Sequence, residues 1–130
     1  MTKHVIYVYG TLRPGLNTDI VLVLGRMYDL GGFPGAIIAG PDTPESVLRS
    51  QIVCERVEVD DEGLQRLDWL EGYREDAPKD ENFYLRVPCL DGWIYVINRP
   101  APSKHPIVTG DWLAYKGQLK GHNSHLVKGY

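Results

Sequence analysis

The sequence predicts an α+β domain in which most of the chain is strand and one well-marked helix sits near the middle. Three stretches carry that expectation. Lys3–Tyr9 (KHVIYVY) is a dense β-branched and aromatic run, the composition of a strand buried on most sides. Asp61–Glu71 (DEGLQRLDWLE) spaces its leucines three apart between an acidic start and a glycine. Phe83–Leu90 and Trp93–Asn98 are two strand-like runs joined by Asp91-Gly92, a strong two-residue hairpin signal.

In chain order, the first strand ends at Gly10, and Pro14 and Gly15 prevent regular structure from resuming. Thr18–Leu30 carries Ile20, Val21, Leu22, Val23, Leu24, Met27 and Leu30. Its β-branched content favours a strand, although Asn17-Thr18-Asp19 could instead cap a short helical turn. Gly31–Gly35 is a loop leading into the short apolar run Ala36–Ala39, and Gly40–Glu45 (GPDTPE) is a turn. Val47–Val59 alternates in its second half, as a long strand with one wet face does. Beyond the helix, Tyr73–Asn82 (YREDAPKDEN) reads as a mobile, charged surface loop. Arg99–Pro106, with three prolines, is an extended connector, and Ile107–Tyr115 holds one more short element around Gly110-Asp111-Trp112. The polar segment Lys116–Tyr130 is expected to be a loosely held tail. With no internal repeat and no linker, residues 1–130 are expected to form one domain.

Composition narrows the class of function. At 130 residues the chain is long enough to bury roughly two-thirds of its unfolded surface. Its 14 basic and 17 acidic side chains leave a formal net charge of −3, so there is no basic excess to hold a phosphate backbone, and nucleic acid is not an expected partner. No apolar run reaches the length of a membrane span, and the N-terminus enters a strand directly, without a signal-peptide layout. Cys54 and Cys89, each inside a strand-like run, suit small buried hydrophobes in a reducing compartment. A cytoplasmic location is the resulting expectation.

Two stretches can carry chemistry. At Tyr9-Gly10-Thr11-Leu12-Arg13-Pro14-Gly15 the strand ends in a bend that Gly10 makes possible. Such a bend turns successive backbone N–H groups toward one point and makes a donor site for a carboxylate or an oxyanion. Thr11 adds a hydroxyl, and Arg13 could add a fixed positive charge at the rim. The same seven residues would also serve as a plain strand-to-loop turn. The second stretch is the helix. Asp60 or Asp61 supplies its N-cap, Glu62 suits the positive helix start, and Gly72 marks its end. Leu64, Leu67 and Leu70 form the apolar stripe, and at about 100° per residue Glu71 falls about 20° from Leu64. Glu71 is therefore pressed toward the core side, although a terminal residue could equally fray to solvent. Asp68 lies at the border of the stripe and is expected to be a bystander; Gln65, Arg66 and Trp69 point elsewhere.

The residues Tyr-Gly-Thr-Leu-Arg at 9–13, Leu67-Asp68-Trp69-Leu70-Glu71-Gly72-Tyr73 and Tyr84-Leu85-Arg86-Val87, in that order, resemble the γ-glutamylcyclotransferases and their AIG2-like relatives. The likeness runs from the N-terminus to about Asn98, with Gly110-Asp111-Trp112 a weaker echo. Two departures are Cys54 before Glu55, where such sequences usually place glycine before an acidic residue, and the long charged insert Tyr73–Asn82. The resemblance implies a small mixed β-barrel with flanking helices, and a cavity between the first loop and the acidic helix. It further implies a small-molecule γ-glutamyl substrate, cyclised to 5-oxoproline with release of a free amine, and no metal, cofactor or covalent intermediate. In it Glu71 stands at the position of the general acid/base. Tyr9, Gly10, Thr11, Leu12, Arg13 and Tyr84 stand as substrate-binding residues.

Other readings are weaker. A cysteine inside a strand, such as Cys54, is far more often core than nucleophile. His122 and His125 lack further placed metal ligands. Arg86 suits an ion pair or a charged strand face, and Tyr73 could join Tyr84 along the cavity. The rival from another class is a binding module that keeps the pocket without catalysis. An acid on the apolar stripe argues against it, because a site without chemistry has no need of a costly buried carboxylate.

Overall fold

A computed structural model describes residues 2–10, 13, 19–39, 50–98 and 104–117, and within them the apolar runs form one mixed sheet. Its strands are β1 (His4–Val8), β2 (Ile20–Asp29), β3 (Pro34–Ile38), β4 (Gln51–Val59), β5 (Tyr84–Cys89), β6 (Gly92–Ile97) and the short β7 (Pro106–Ile107). Across the sheet they run β3-β2-β4-β1-β6-β5, with β7 paired to β2. β1 and β6 pair in parallel and the other pairs are antiparallel. Helix α1 (Asp61–Leu70) follows β4, and α2 (Trp112–Tyr115) follows β7.

Of the two readings open for the second apolar run, the strand is the one that forms, and it curls the sheet. Ile20–Leu24 pair with β4, whereas Gly25–Asp29 pair with β3. The change of partner falls at Gly25, where a Cβ would lie 2.5 Å from the Ile37 carbonyl oxygen and 2.6 Å from Ile52 Cδ1. Only glycine lets the backbones approach this closely. The curl brings β3 back toward β5 and β6: a Cβ on Gly35 would meet Ile97 Cγ1 at 2.8 Å, and the Tyr84 phenol donates to the Pro34 carbonyl at 2.7 Å. The result is the expected small mixed barrel, realised as a half-barrel with two helices.

Because β1 is central and covered on both sides, its alternate residues enter two cores. Tyr7 and Tyr9 join Met27, Ile52, Ile94 and the buried Trp112 of α2, while Ile6 and Val8 face Tyr84, Tyr95 and, from α1, Leu64 and Leu67. Each fully buried side chain of this size contributes roughly 1.5–3 kcal/mol by leaving water, so both layers matter to stability. Cys54 and Cys89 are buried free thiols.

Three details differ from expectation. The hairpin turn is Leu90-Asp91, not Asp91-Gly92, since Cys89 pairs with Gly92 and Leu90 takes φ 53°. Gly92 is needed inside the strand instead: a Cβ there would stand 2.1 Å from the Val5 carbonyl oxygen of the parallel neighbour. Residues 73–82 are not a free loop. Buried Asn82 accepts from the Arg74 N–H (2.9 Å) and donates to its carbonyl (3.1 Å), and Asn98 donates to the Lys79 and Asn82 carbonyls at 2.7 and 2.9 Å. Side-chain amides thus close a segment whose charges suggested mobility. Leu70, assigned to the apolar stripe, is half exposed, because the helix packs through Leu64 and Leu67 and ends where the cavity opens.

The 40–45 turn, the start of the 47–59 strand before Ser50, most of the 99–106 connector, the 118–130 tail with His122 and His125, and Pro14 and Gly15 lie outside the described residues. Among the described residues no helix is long and apolar enough to cross a membrane.

Candidate active site

β1 ends at Tyr9-Gly10, and α1 ends beside it. Asp60 caps the helix start, accepting from the Gly63 N–H at 2.8 Å. At the other end Gly72 turns left-handed (φ 67°), its N–H returning to the Trp69 carbonyl (3.1 Å) and that of Tyr73 to Asp68 (2.8 Å). This is the 6→1, 5→2 pair of a Schellman close, and Tyr73 then packs against the core beside Leu67. Glu71, the C-cap residue, is therefore held in place and does not fray.

Between these two chain ends lies a cavity of about 320 Å³, near the lower end for small-ligand sites. Tyr9, Gly10, Glu71 and Tyr84, four of the seven site residues named from sequence, line it together. Burial raises the Glu71 carboxyl above its ordinary pKa, and among the described residues it has neither an ion-pair nor a hydrogen-bond partner. Among the described lining residues it is also the only carboxyl, and no basic side chain stands beside it there.

The surrounding phenols are arranged in one sense. Tyr9 donates to the Tyr95 carbonyl (2.6 Å), Tyr84 to the Pro34 carbonyl (2.7 Å) and Tyr95 to Asp68 Oδ1 (2.6 Å). Burial pushes the phenols of Tyr9 and Tyr84 well above their usual range; for Tyr84 the charge of Glu71 adds to it, and for Tyr9 the neighbouring Tyr84 and then Glu71. Tyr95 is raised by burial and then by its bond to Asp68. With each proton committed to a protein acceptor, these oxygens can only accept from a ligand.

Two expectations change here. Arg13 is not a charge at the rim. Its side chain is wholly buried, with Nε 2.7 Å from Glu55 and Nη1 2.9 Å from Asp111, the residue that caps α2. A buried guanidinium needs such partners, and the turn from Gly10 to Arg13 (Arg13 N–H to Gly10 carbonyl, 3.0 Å) swings it inward to reach them. Nor is Asp68 a bystander, since it holds Tyr95 and pairs with Arg86 at 3.2 Å. Arg86 is the ion-pair residue expected, its guanidinium 4.8 Å from the Trp93 ring centre and 5.4 Å from that of Tyr73. Thr11 and Leu12 lie outside the described residues.

Sequence reasoning missed Tyr95, Phe33 and Pro34 on the cavity wall. They come from β6 and the β2–β3 hairpin, and nothing local in their stretches signals that the curl brings them beside β1. Among the described residues no three His, Cys, Asp or Glu side chains gather as a metal site requires.

The family described as gamma-glutamyl cyclotransferase, AIG2-like, matches residues 6–114, a span that contains the ends of β1 and α1 and the whole described cavity wall. The chain belongs to this family. A Vibrio cholerae protein provisionally named a gamma-glutamylcyclotransferase is 29% identical over 122 residues, covering 85% of this chain and 96% of its own length. The gamma-glutamylcyclotransferase family protein YtfP of Escherichia coli K12 is 28% identical over 119 residues, covering 83% and 95%. The fold is also that of the uncharacterised protein PH0828 of Pyrococcus horikoshii, whose crystal structure superposes with a TM-score of 0.60 at 19% identity over 86% of this chain and 92% of that one.

Proposed function

We propose that this family member cyclises γ-glutamyl amides, releasing 5-oxoproline and a free amine, with Glu71 as the general acid/base. The observation that carries the reading is Glu71 itself: a carboxyl with no ion-pair or hydrogen-bond partner among the described residues, raised by burial, lining one small cavity with Gly10. A carboxyl in that state is poised to exchange protons and costs free energy to keep, so a site without proton transfer would not need it.

In this mechanism the substrate's α-carboxylate is held by backbone N–H groups at Gly10, Thr11 and Leu12. The α-ammonium lies among Tyr9, Tyr84 and Tyr95, whose oxygens accept its N–H bonds. Glu71 takes one proton from the ammonium, and the freed nitrogen attacks the γ-carbonyl carbon. The new C–N bond closes a five-membered ring and moves an electron pair onto the carbonyl oxygen. When that pair returns, the bond to the leaving nitrogen breaks as Glu71 gives that nitrogen the first proton. Glu71, ionised again, takes the second surplus proton from the ring nitrogen and passes it to the departing amine or to water, which leaves neutral 5-oxoproline with one N–H. Both reacting atoms belong to one molecule, so little positioning is required beyond folding the glutamyl chain.

The test is release of 5-oxoproline from a panel of γ-glutamyl amides and dipeptides, by the native chain and by Glu71→Gln. Turnover of any panel member that is lost in Glu71→Gln supports the reading. No product from any of them overturns it in favour of a binding module.

A further inference from the structure

The cavity has a closed end and an open one, and they differ in chemistry. The closed end is made by Tyr9, Tyr95, Tyr84 and Glu71. At the opening stand Leu70, 51% exposed, and Phe33, 44% exposed. Phe83, itself 38% exposed, meets Phe33 edge-on with ring centres 6.2 Å apart, and extends the apolar strip away from the cavity.

The strip is held in position. Phe33 rides on the tip of the β2–β3 hairpin, where the Leu30 N–H donates to the Phe33 carbonyl at 2.8 Å. Asp29 Oδ1 accepts from the N–H groups of Gly31 and Gly32 at 2.9 and 2.8 Å, and the Tyr115 phenol donates to Asp29 Oδ2 at 2.8 Å. Gly31 and Gly32 adopt φ 112° and 99°, a conformation that suits glycine. Leu70 is fixed by the helix close next to it. Large apolar side chains held in water at the mouth of a cavity mark a surface that a ligand covers.

We propose that Phe33 and Leu70 select the leaving group of the substrate, and that the preferred substrates are γ-glutamyl amides of aromatic or bulky alkyl amines. This rests on the γ-glutamyl reading above. To cyclise, the glutamyl chain folds its α-nitrogen back onto the γ-carbonyl, so it fills the end beside Gly10 and Glu71. Among the described residues, the opening left for the substituent on the departing nitrogen lies beside Leu70 and Phe33. An apolar substituent buries itself and both side chains there. The carboxylate of an amino-acid leaving group, or the distal ammonium of a diamine, loses water at the same place. Glu71 is the only carboxyl among the described lining residues, with no basic side chain beside it, and it is engaged in the reaction.

The experiment compares γ-glutamyl-phenethylamine, γ-glutamylglycine and the γ-glutamyl monoamide of a diaminobutane, by 5-oxoproline release and by calorimetric binding to Glu71→Gln, which reports affinity without turnover. The phenethylamide is expected to lead in kcat/KM and in affinity by about 10-fold or more. Phe33→Ala and, separately, Leu70→Ala are expected to shrink that ratio by about 10-fold, mainly through KM, whereas Val108→Ala, exposed and away from the cavity, leaves the ratio as it was. Two point variants guard against one that fails to fold. Equal use of the three compounds, preference for a charged one, or a ratio unmoved by both variants overturns the proposal. If no compound is turned over, the cyclotransferase reading fails by itself, and the affinity order on Glu71→Gln still decides whether the mouth selects apolar tails.

Discussion

Glu71→Gln changes one oxygen to an amide nitrogen and removes the proposed base. A positioned general base contributes roughly 10²–10⁴-fold, about 2.7–5.4 kcal/mol at 1.36 kcal/mol per decade. The structure points to the upper half of that range, because nothing described can take over. The nearest other carboxylate on the helix, Asp68, is bound to Tyr95 and Arg86, and the three phenols are raised far above neutrality with their protons committed. Loss of about 10³–10⁴-fold in kcat is therefore expected, with KM nearly constant if, as proposed, backbone donors hold the α-carboxylate. In the native chain kcat/KM should rise with pH through a value above the ordinary carboxylate range, since only the ionised form accepts the proton. Stability moves the other way. A carboxyl whose folded pKa is raised contributes fully below its unfolded pKa, and the contribution is lost as pH rises through the folded value. Gln carries no such charge, so the Tm of Glu71→Gln relative to the native chain should be higher at pH 8 than at pH 4. The assay is 5-oxoproline release by protein shown to be folded, with the exposed Glu62→Gln on the same helix as control, expected within twofold of the native rate. A Glu71→Gln enzyme within tenfold of native would refute the general-base argument.

Asp68→Asn should lower kcat by about 10-fold, less than Glu71→Gln, because it loosens Tyr95 and Arg86 and leaves the base intact; a loss equal to that of Glu71→Gln would mean that the two carboxyls share the role. Arg13→Leu removes the guanidinium that pairs with Glu55 and Asp111 inside the fold, and breaking that buried pair should cost about 3–5 kcal/mol in urea unfolding. Adding Glu55→Leu should recover part of that cost, and no recovery would argue against the pair as the cause. Gly92→Ala drives a methyl into the Val5 carbonyl and should destabilise by about 1–3 kcal/mol without touching the cavity. Burial pushes the Cys54 thiol up to about 12, so iodoacetamide at pH 8 should modify it only after the chain unfolds; rapid labelling of the native protein would contradict that burial.

The stretches that declare themselves in the sequence are those whose physics is local. KHVIYVY can only be a buried strand, Asp60 and Gly72 mark the two ends of α1, and Glu71 follows from the helical period that sets it near Leu64. Tyr9, Gly10, Glu71 and Tyr84 were legible as candidate site residues because they sit in recognisable stretches, and the four line one cavity. What the sequence could not show depends on how distant strands meet. That the second apolar run forms a strand, over Ile20–Asp29, was decided by its having two partners, with the change of partner at Gly25 curling the sheet. That curl carries Phe33 and Pro34 to β1, and the parallel pairing of β6 carries Tyr95 there. It also put Gly92 in a strand, where only a side chain of zero size fits beside Val5. Arg13 looked like a surface charge because its partners lie 42 and 98 residues away, and Asp68 looked idle because Tyr95 is 27 residues off. A charge or a hydroxyl takes its role from what it touches, and for these residues only the tertiary structure supplies the contact.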